Sequence, residues 1–174
     1  SYPFPPSQGT GGTSGTGGSS GSSGTGGSTN VTGDLPCDVL ARAGVPCVSA
    51  HSTVRTVVTA YTGPLYQVCK GTWTPGPGSC HGESLDIGMV DGYADAAAQE
   101  AFCPPGSGCV ITTIYDQTMH DNNLEPAVPG GQKKTPGNPA RADPLKITAN
   151  GHAVYGLKFR PGEGYRKLFG NATA

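Results

Sequence analysis

Apolar and polar positions along this chain follow strand periods more often than helical ones. Residues 110–115, VITTIY, are β-branched and aromatic and lie between Cys109 and the polar stretch DQTMHDNN, which predicts a buried strand ending in a turn. Residues 54–60 and 65–69 have the same Val/Thr character. The Thr62-Gly63-Pro64 turn between them predicts two strands joined tightly. Residues 145–148 and 153–159 predict two more short strands, with a Pro/Gly/Lys loop at 126–139 before them. Helical signal is sparse. Residues 37–43 predict one or two turns stopped by Gly44 and folded back by Pro46 toward Cys47. Residues 91–102, DGYADAAAQEAF, predict the one substantial helix, alanine-rich, acidic in its first turns, with Tyr93 and Phe102 facing the core. Successive strands have no helix between them, so a mainly β sandwich is favoured over an α/β sheet.

Composition divides this picture in two. Among 174 residues, 29 are Gly and 16 are Pro, and every residue from 7 to 29 except Gln8 is Gly, Ser or Thr. Such a stretch has no apolar side chain to offset its ordering entropy, which predicts a disordered linker over residues 1–33 and a foldable part over 34–174. A chain that begins in a linker also leads us to expect a further module upstream. Asn30-Val31-Thr32 and Asn171-Ala172-Thr173 match N-glycosylation acceptors, placing candidate sugar attachment at Asn30 and Asn171.

All six cysteines fall in the foldable part, at the close spacings Cys37/Cys47, Cys69/Cys80 and Cys103/Cys109. These suggest three local disulfides and an oxidising, extracellular compartment, although spacing alone leaves about fifteen pairings open. Zinc competes poorly, because no CxxC pair or HxxxH helix is present. Eleven basic and twelve acidic residues leave a charge of −1 with no run of either sign, so neither nucleic acid nor an anionic membrane is expected as partner. No apolar stretch approaches the ~18 residues of a membrane span.

Candidate chemistry is diffuse. Asp38, Glu83, Asp86, Asp95, Glu100, Asp116, Asp121, Glu125, Asp143 and Glu163 are all available, and no spacing singles out the pair that glycoside hydrolysis requires. Asp116, His120 and Asp121 admit metal binding but match no known ligand spacing. Asp116 is better read as a turn residue that satisfies backbone N–H groups. His51-Ser52 lacks the GxSxG context of a serine hydrolase, so His51 reads as a hydrogen-bonded core or rim residue. His81 and His152 read as loop residues. Packing is the expected role of Trp73 and Tyr165, with sugar stacking as the alternative.

Six segments in order, PCDVLARAGVPCVSAHSTVR, YTGPLYQV, ADAAAQEAFC, CVITTIYDQ, GHAVYGL and PGEGYR, together resemble the N-terminal part of the catalytic domain of glycoside hydrolase family 54, the α-L-arabinofuranosidase B family. The resemblance runs from about Leu35 to the end of the chain. It implies an incomplete concanavalin-like β-sandwich (jelly roll) with one short helix, secreted and monomeric. It implies a retaining exo-enzyme acting on terminal α-L-arabinofuranosyl branches of arabinoxylan, arabinan and similar plant cell-wall polysaccharides, with no metal or other cofactor. Disulfides Cys37–Cys47 and Cys103–Cys109 are implied as well.

Departures from the family pattern matter equally. The family's nucleophile and acid/base lie later in its domain, so no catalytic residue is expected within this chain and both are expected C-terminal of Ala174. Cys69 and Cys80 sit in what looks like an insertion. YDQTMHDNN stands where the family tends to read YDQSG with a glycine-rich continuation. The chain by itself is therefore expected to be inactive, with uncovered strand edges that favour aggregation. A non-catalytic concanavalin-like carbohydrate-binding module is the alternative from another class. A sister specificity, β-xylosidase or galactan-acting, is a third.

Overall fold

A computed structural model describes residues 35–75, 79–129 and 135–167 of the protein. The linker at 1–33 and the glycosylation candidates Asn30 and Asn171 lie outside the described residues.

Chain order is α1 (Pro36–Arg42), β1 (Tyr66–Lys70), β2 (Glu83–Ile87), β3 (Met89–Val90), β4 (Tyr93–Ala94), α2 (Ala96–Phe102), β5 (Val110–Ile114), β6 (Glu125–Pro126), β7 (Lys146–Ala149), β8 (His152–Tyr155) and β9 (Tyr165–Arg166). β1 is central in an antiparallel sheet of order β2-β1-β5, with Tyr66 opposite both Ile87 and Ile114. The remaining strands pair as three two-stranded ladders, β3-β4, β6-β9 and β7-β8, all antiparallel. Among the described residues no helix is long and apolar enough to cross a membrane.

The core lies on one face of the three-stranded sheet. Tyr66, Val68, Ile87, Ile111 and Ile114 point inward and meet Ala94, Cys103, Ala142 and Val154 from β4, the end of α2, the 140–144 segment and β8. The opposite face is polar: Gln67 and Asp86 are register partners and hydrogen-bond each other at 3.0 Å, while the Tyr115 hydroxyl donates to Asp86 at 2.7 Å. Period-2 alternation along β1 thus becomes one buried and one solvated face. A register shift between Gln67 and Val68 in the β1-β5 pairing marks a bulge.

The mainly β fold is as expected, but three local readings require correction. Two short helices form rather than one, because residues 36–42 close a full helix with Pro36 at its start and Gly44 beyond its end at φ +79°. The alanine-rich helix is shorter than residues 91–102: it begins at Ala96, after Asp95, whose carboxylate accepts from Ala98 N at 2.9 Å. Ahead of it, Asp91 (φ +52°) and Gly92 (φ +79°) form the turn joining β3 to β4, a conformation that helical residues do not adopt.

Residues 54–60 are not a strand. Apart from Thr56 N, which donates to Gly92 O at 2.8 Å, their bonded N–H groups are taken locally or by side chains: the Ser52 hydroxyl accepts from Val54 N and Arg55 N at 3.1 Å each, and the Gln117 carbonyl accepts from Val57 N at 2.7 Å. Side-chain acceptors have replaced the ladder, leaving one isolated bridge between Arg55 and Tyr93. Asn150-Gly151 turns β7 into β8 with both residues at positive φ (+48° and +85°), the signature of a tight hairpin.

Disulfides join Cys37–Cys47, Cys69–Cys80 and Cys103–Cys109, with Cα separations of 5.5, 5.7 and 5.9 Å. Cys69–Cys80 closes the excursion between β1 and β2, where Trp73 bridges Cys80 and is only partly buried. Replacing both Cys69 and Cys80 by alanine should lower stability by about 2–3 kcal/mol, the chain-entropy value for so short a loop. Urea unfolding under non-reducing conditions measures it; an unchanged midpoint would show that this staple contributes nothing.

Candidate functional site

The polar cluster at the exit of β5 is built around Asp116. Its side chain is 5% exposed and both oxygens are occupied. Oδ1 accepts from Ala50 N (2.8 Å) and Thr118 N (3.0 Å), while Oδ2 accepts from the Thr118 hydroxyl (2.8 Å) and Asn122 N (2.9 Å). Burial pushes the Asp116 carboxyl up, but these donors outweigh it and hold it below the ordinary carboxylate range. Such a group is an ionised anchor with no lone pair directed at a ligand.

Its neighbours extend the same anchor. Gln117 is buried; its side-chain carbonyl accepts from Val57 N and from the Thr56 hydroxyl (3.2 Å), and its amide donates to Arg55 O at 3.3 Å. Asn122 donates through Nδ2 to Val48 O at 2.8 Å. His51 places Nε2 2.9 Å from Asn122 O, so Nε2 is the donor in this contact. Asp121 is exposed at φ +52°, away from these contacts, and its side chain accepts from Asn123 Nδ2 at 2.6 Å. Among the described residues no three His, Cys, Asp or Glu side chains converge to hold an ion.

Most other carboxylates are also committed to structure. Asp38 accepts from Thr59 N and its hydroxyl, tying α1 to the following segment. Asp95 caps α2. Glu100 joins α2 to the β7-β8 hairpin through Lys146 Nζ (2.5 Å) and the Tyr155 hydroxyl (2.9 Å), and the Lys146 contact in particular lowers its carboxyl. Asp143 is held low mainly by its hydrogen bonds from Arg141, at 3.1–3.2 Å. Glu125 on β6 behaves oppositely: half-buried, it is raised chiefly by burial, with Asp121 adding to the rise and Lys167 opposing it. Nothing in its sequence neighbourhood signals this, because the shift arises from burial beside β9.

Three surface cavities of about 380–600 Å³ lie among the described residues. Asp91 is the single carboxylate in the one beside Tyr93 and Arg55, and Asp38 in the one beside α1 and Met119. In the largest, Glu163 is the single carboxylate, facing Leu157, Phe159 and Tyr165. Double displacement at a sugar requires two carboxyl groups about 5 Å apart, one on each side of the bond. None of these cavities supplies both.

The aromatic and histidine candidates pack. Tyr165 accepts from Ala140 N and donates to Ile111 O, each at 2.7 Å, and meets Phe159 edge-on with ring centroids 5.9 Å apart. His152 lies on β8 rather than in a loop and stacks on Tyr93 at 4.2 Å. His81 is 2.7 Å from the Thr74 hydroxyl, within the stapled loop.

Fold and site together define a disulfide-stapled, mainly β domain whose described acidic groups serve chiefly as structural anchors. A family profile described as "Alpha-L-arabinofuranosidase B, catalytic" matches residues 36–174. The chain belongs to this family of α-L-arabinofuranosidase B catalytic domains. It is 43% identical over 145 residues to a probable α-L-arabinofuranosidase B of Aspergillus terreus, covering 80% of this chain and 27% of the relative. Over 144 residues it is also 43% identical to an arabinofuranosidase/B-xylosidase of Trichoderma koningii, with the same coverage. The chain thus spans about a quarter of the length of these relatives.

Among solved structures, a crystal structure of an arabinofuranosidase complexed with arabinofuranosyl-α-1,2-xylobiose matches with a TM-score of 0.63 and 37% identity, covering 76% of this chain and 27% of that one. A family 54 α-L-arabinofuranosidase soaked with a cyclic sulfate inhibitor matches with a TM-score of 0.62 and 36% identity, again over 76% and 27%.

Proposed function

We propose that this chain is part of a secreted, retaining glycosidase that removes terminal non-reducing α-L-arabinofuranosyl residues from arabinoxylan and arabinan. Residues 34–174 would form the N-terminal portion of its concanavalin-like catalytic sandwich. Family membership over residues 36–174 supports the activity. The observation that supports a scaffold role for this portion is the distribution of carboxylates: each of the three cavities described holds one, and the buried Asp116 is consumed by four hydrogen bonds. The portion serves as scaffold, and the nucleophile and acid/base come from elsewhere in the domain. Three disulfides support secretion.

An assay on 4-nitrophenyl α-L-arabinofuranoside tests this reading. The 174-residue chain should give no turnover above background, and a protein extended to the length of the relatives should give clear turnover. Turnover by the short chain would overturn the scaffold assignment. An inactive extended protein that still bound arabinoxylan would instead establish a carbohydrate-binding module.

A further inference from the structure

Asn150 is the one asparagine in the sequence that is followed by glycine. Asn150-Gly151 joins β7 to β8, with Ala149 paired to His152 and both turn residues at positive φ (+48° and +85°). These two residues are the whole loop, so its shape depends on every backbone torsion within it. Glycine has no Cβ, which leaves its backbone nitrogen unusually open to the side chain before it. Asparagine is in turn among the chemically least durable side chains.

What holds the turn decides whether that reactivity is expressed. Among the described residues, neither the Asn150 carboxamide nor the Gly151 N–H has a hydrogen-bond partner. A side-chain carbon at Gly151 would meet nothing within 4 Å, and the nearest hold is on His152, whose ring stacks on Tyr93 at 4.2 Å. The β3-β4 turn supplies the contrast. Asp91-Gly92 has the same pair of positive φ angles (+52° and +79°), yet Gly92 O accepts from Thr56 N at 2.8 Å and Ala94 N donates to Val54 O at 2.9 Å. A side-chain carbon at Gly92 would already touch the Thr56 methyl, at 3.4 Å. Residues 54–56 clamp this turn, and no such segment clamps Asn150-Gly151.

We infer that Asn150 is a site of spontaneous deamidation. Gly151 N attacks Asn150 Cγ: the N–Cγ bond forms, the Cγ–Nδ2 bond breaks, and Nδ2 leaves as ammonia, carrying the proton that Gly151 N gives up. Water then adds to either carbonyl of the cyclic imide and opens it to aspartate or isoaspartate. The step needs only water and two adjacent residues, so it is independent of the glycosidase reading. Ring closure fixes ψ of Asn150 away from the left-handed value the turn uses, so reaction proceeds from the opened turn and its rate follows the opening equilibrium. Isoaspartate adds a carbon to the backbone, which a two-residue loop cannot absorb while keeping its strands in register. The product weakens β7-β8 from its tip, and this hairpin carries the buried Val154 and the contacts of Lys146 and Tyr155 with Glu100.

Incubation of the 174-residue chain in mildly alkaline buffer, then digestion and mass spectrometry of the peptide containing Asn150, tests the site, with isoaspartyl methyltransferase labelling to separate the two products. Conversion should rise with pH, because the attacking nitrogen must lose its proton. Asp91→Asn places the same dipeptide in the clamped turn, where left-handed φ suits asparagine. With folding confirmed by circular dichroism, position 91 should convert at least about tenfold more slowly than position 150, the reduction in opening that its two extra hydrogen bonds give. In urea the two positions should convert at similar rates. Asn150→Asp, which adds the product's charge without the extra backbone carbon, should keep the wild-type urea midpoint, and the isoaspartyl form separated by chromatography should unfold at lower urea. No conversion of Asn150 in buffer overturns the site, whatever happens in urea. Equal rates at the two positions in buffer overturn the role of the clamp, and an isoaspartyl form with the wild-type midpoint overturns the weakening of the hairpin.

Discussion

Asp116→Ala should cost the domain about 3–5 kcal/mol or prevent folding outright, the largest effect we expect from a single polar side chain. The substitution strands the backbone N–H groups of Ala50, Thr118 and Asn122, each worth about 1–3 kcal/mol when buried without an acceptor. Asp116→Asn keeps one acceptor oxygen but turns an amide toward N–H donors, so it should fall between wild type and alanine. Urea denaturation gives the order wild type, then asparagine, then alanine. A loss below about 1 kcal/mol for alanine would mean that water or neighbouring groups replace the carboxylate, and the anchor reading would fail.

The same group predicts a pH dependence with a definite sign. The folded-state carboxyl titrates below the unfolded value of about 3.9, so its contribution to stability is present above that value and is lost as pH falls through the folded one. Asp143, lowered by Arg141, acts in the same direction. Thermal stability of the wild type should therefore decline in the acid range below about pH 4. In Asp116→Asn the decline should be shallower, with the remainder due to the other lowered carboxyls.

Gln99→Ala should destabilise by a comparable amount, about 3–4 kcal/mol. Gln99 is 1% exposed, and its side chain both accepts from the Tyr66 hydroxyl and donates to Ala142 O at 2.8 Å. Its removal leaves a cavity between α2 and the sheet, a buried phenol without an acceptor and a carbonyl without a donor. Burial also raises the Tyr66 phenol far above its ordinary value, so ionisation offers no escape from the missing acceptor. Tyr66→Phe combined with Gln99→Leu should cost less than the two single losses together, because the hydroxyl and its acceptor disappear at once. A double-mutant cycle with a coupling near zero would show that the two side chains do not depend on each other.

How far the sequence reveals these features depends on the range of the interaction. The strand at 110–114 is legible because four of its five side chains are β-branched isoleucine or threonine and the fifth is valine, giving a run that only a pleated, buried environment suits. Residues 54–60 have similar composition, yet acceptors from Ser52 and from Gln117, about sixty residues away, take the N–H groups of Val54, Arg55 and Val57. Composition cannot distinguish these outcomes, since both satisfy the same backbone donors. Asp91-Gly92 turns β3 into β4 and the alanines that follow form α2; the two elements are consecutive, separated at the Asp95 cap, although their residues run on as one stretch in the sequence.

The sequence by itself determined the mainly β character, the close cysteine spacings, the absence of a dominant charge and, through six ordered segments, the family. All of these are local or linear properties, and pattern and spacing express them directly. Tertiary structure alone decided that Asp116 is a filled anchor instead of a reactive group, because its partners Ala50 and Asn122 come from segments 66 residues before it and 6 after it. It likewise decided that Glu125 is raised while Asp143 is lowered, and that Phe159, Tyr165 and Glu163 share one groove with His51. A carboxylate's chemistry is set by the donors, charges and solvent around it, and only folding assembles those.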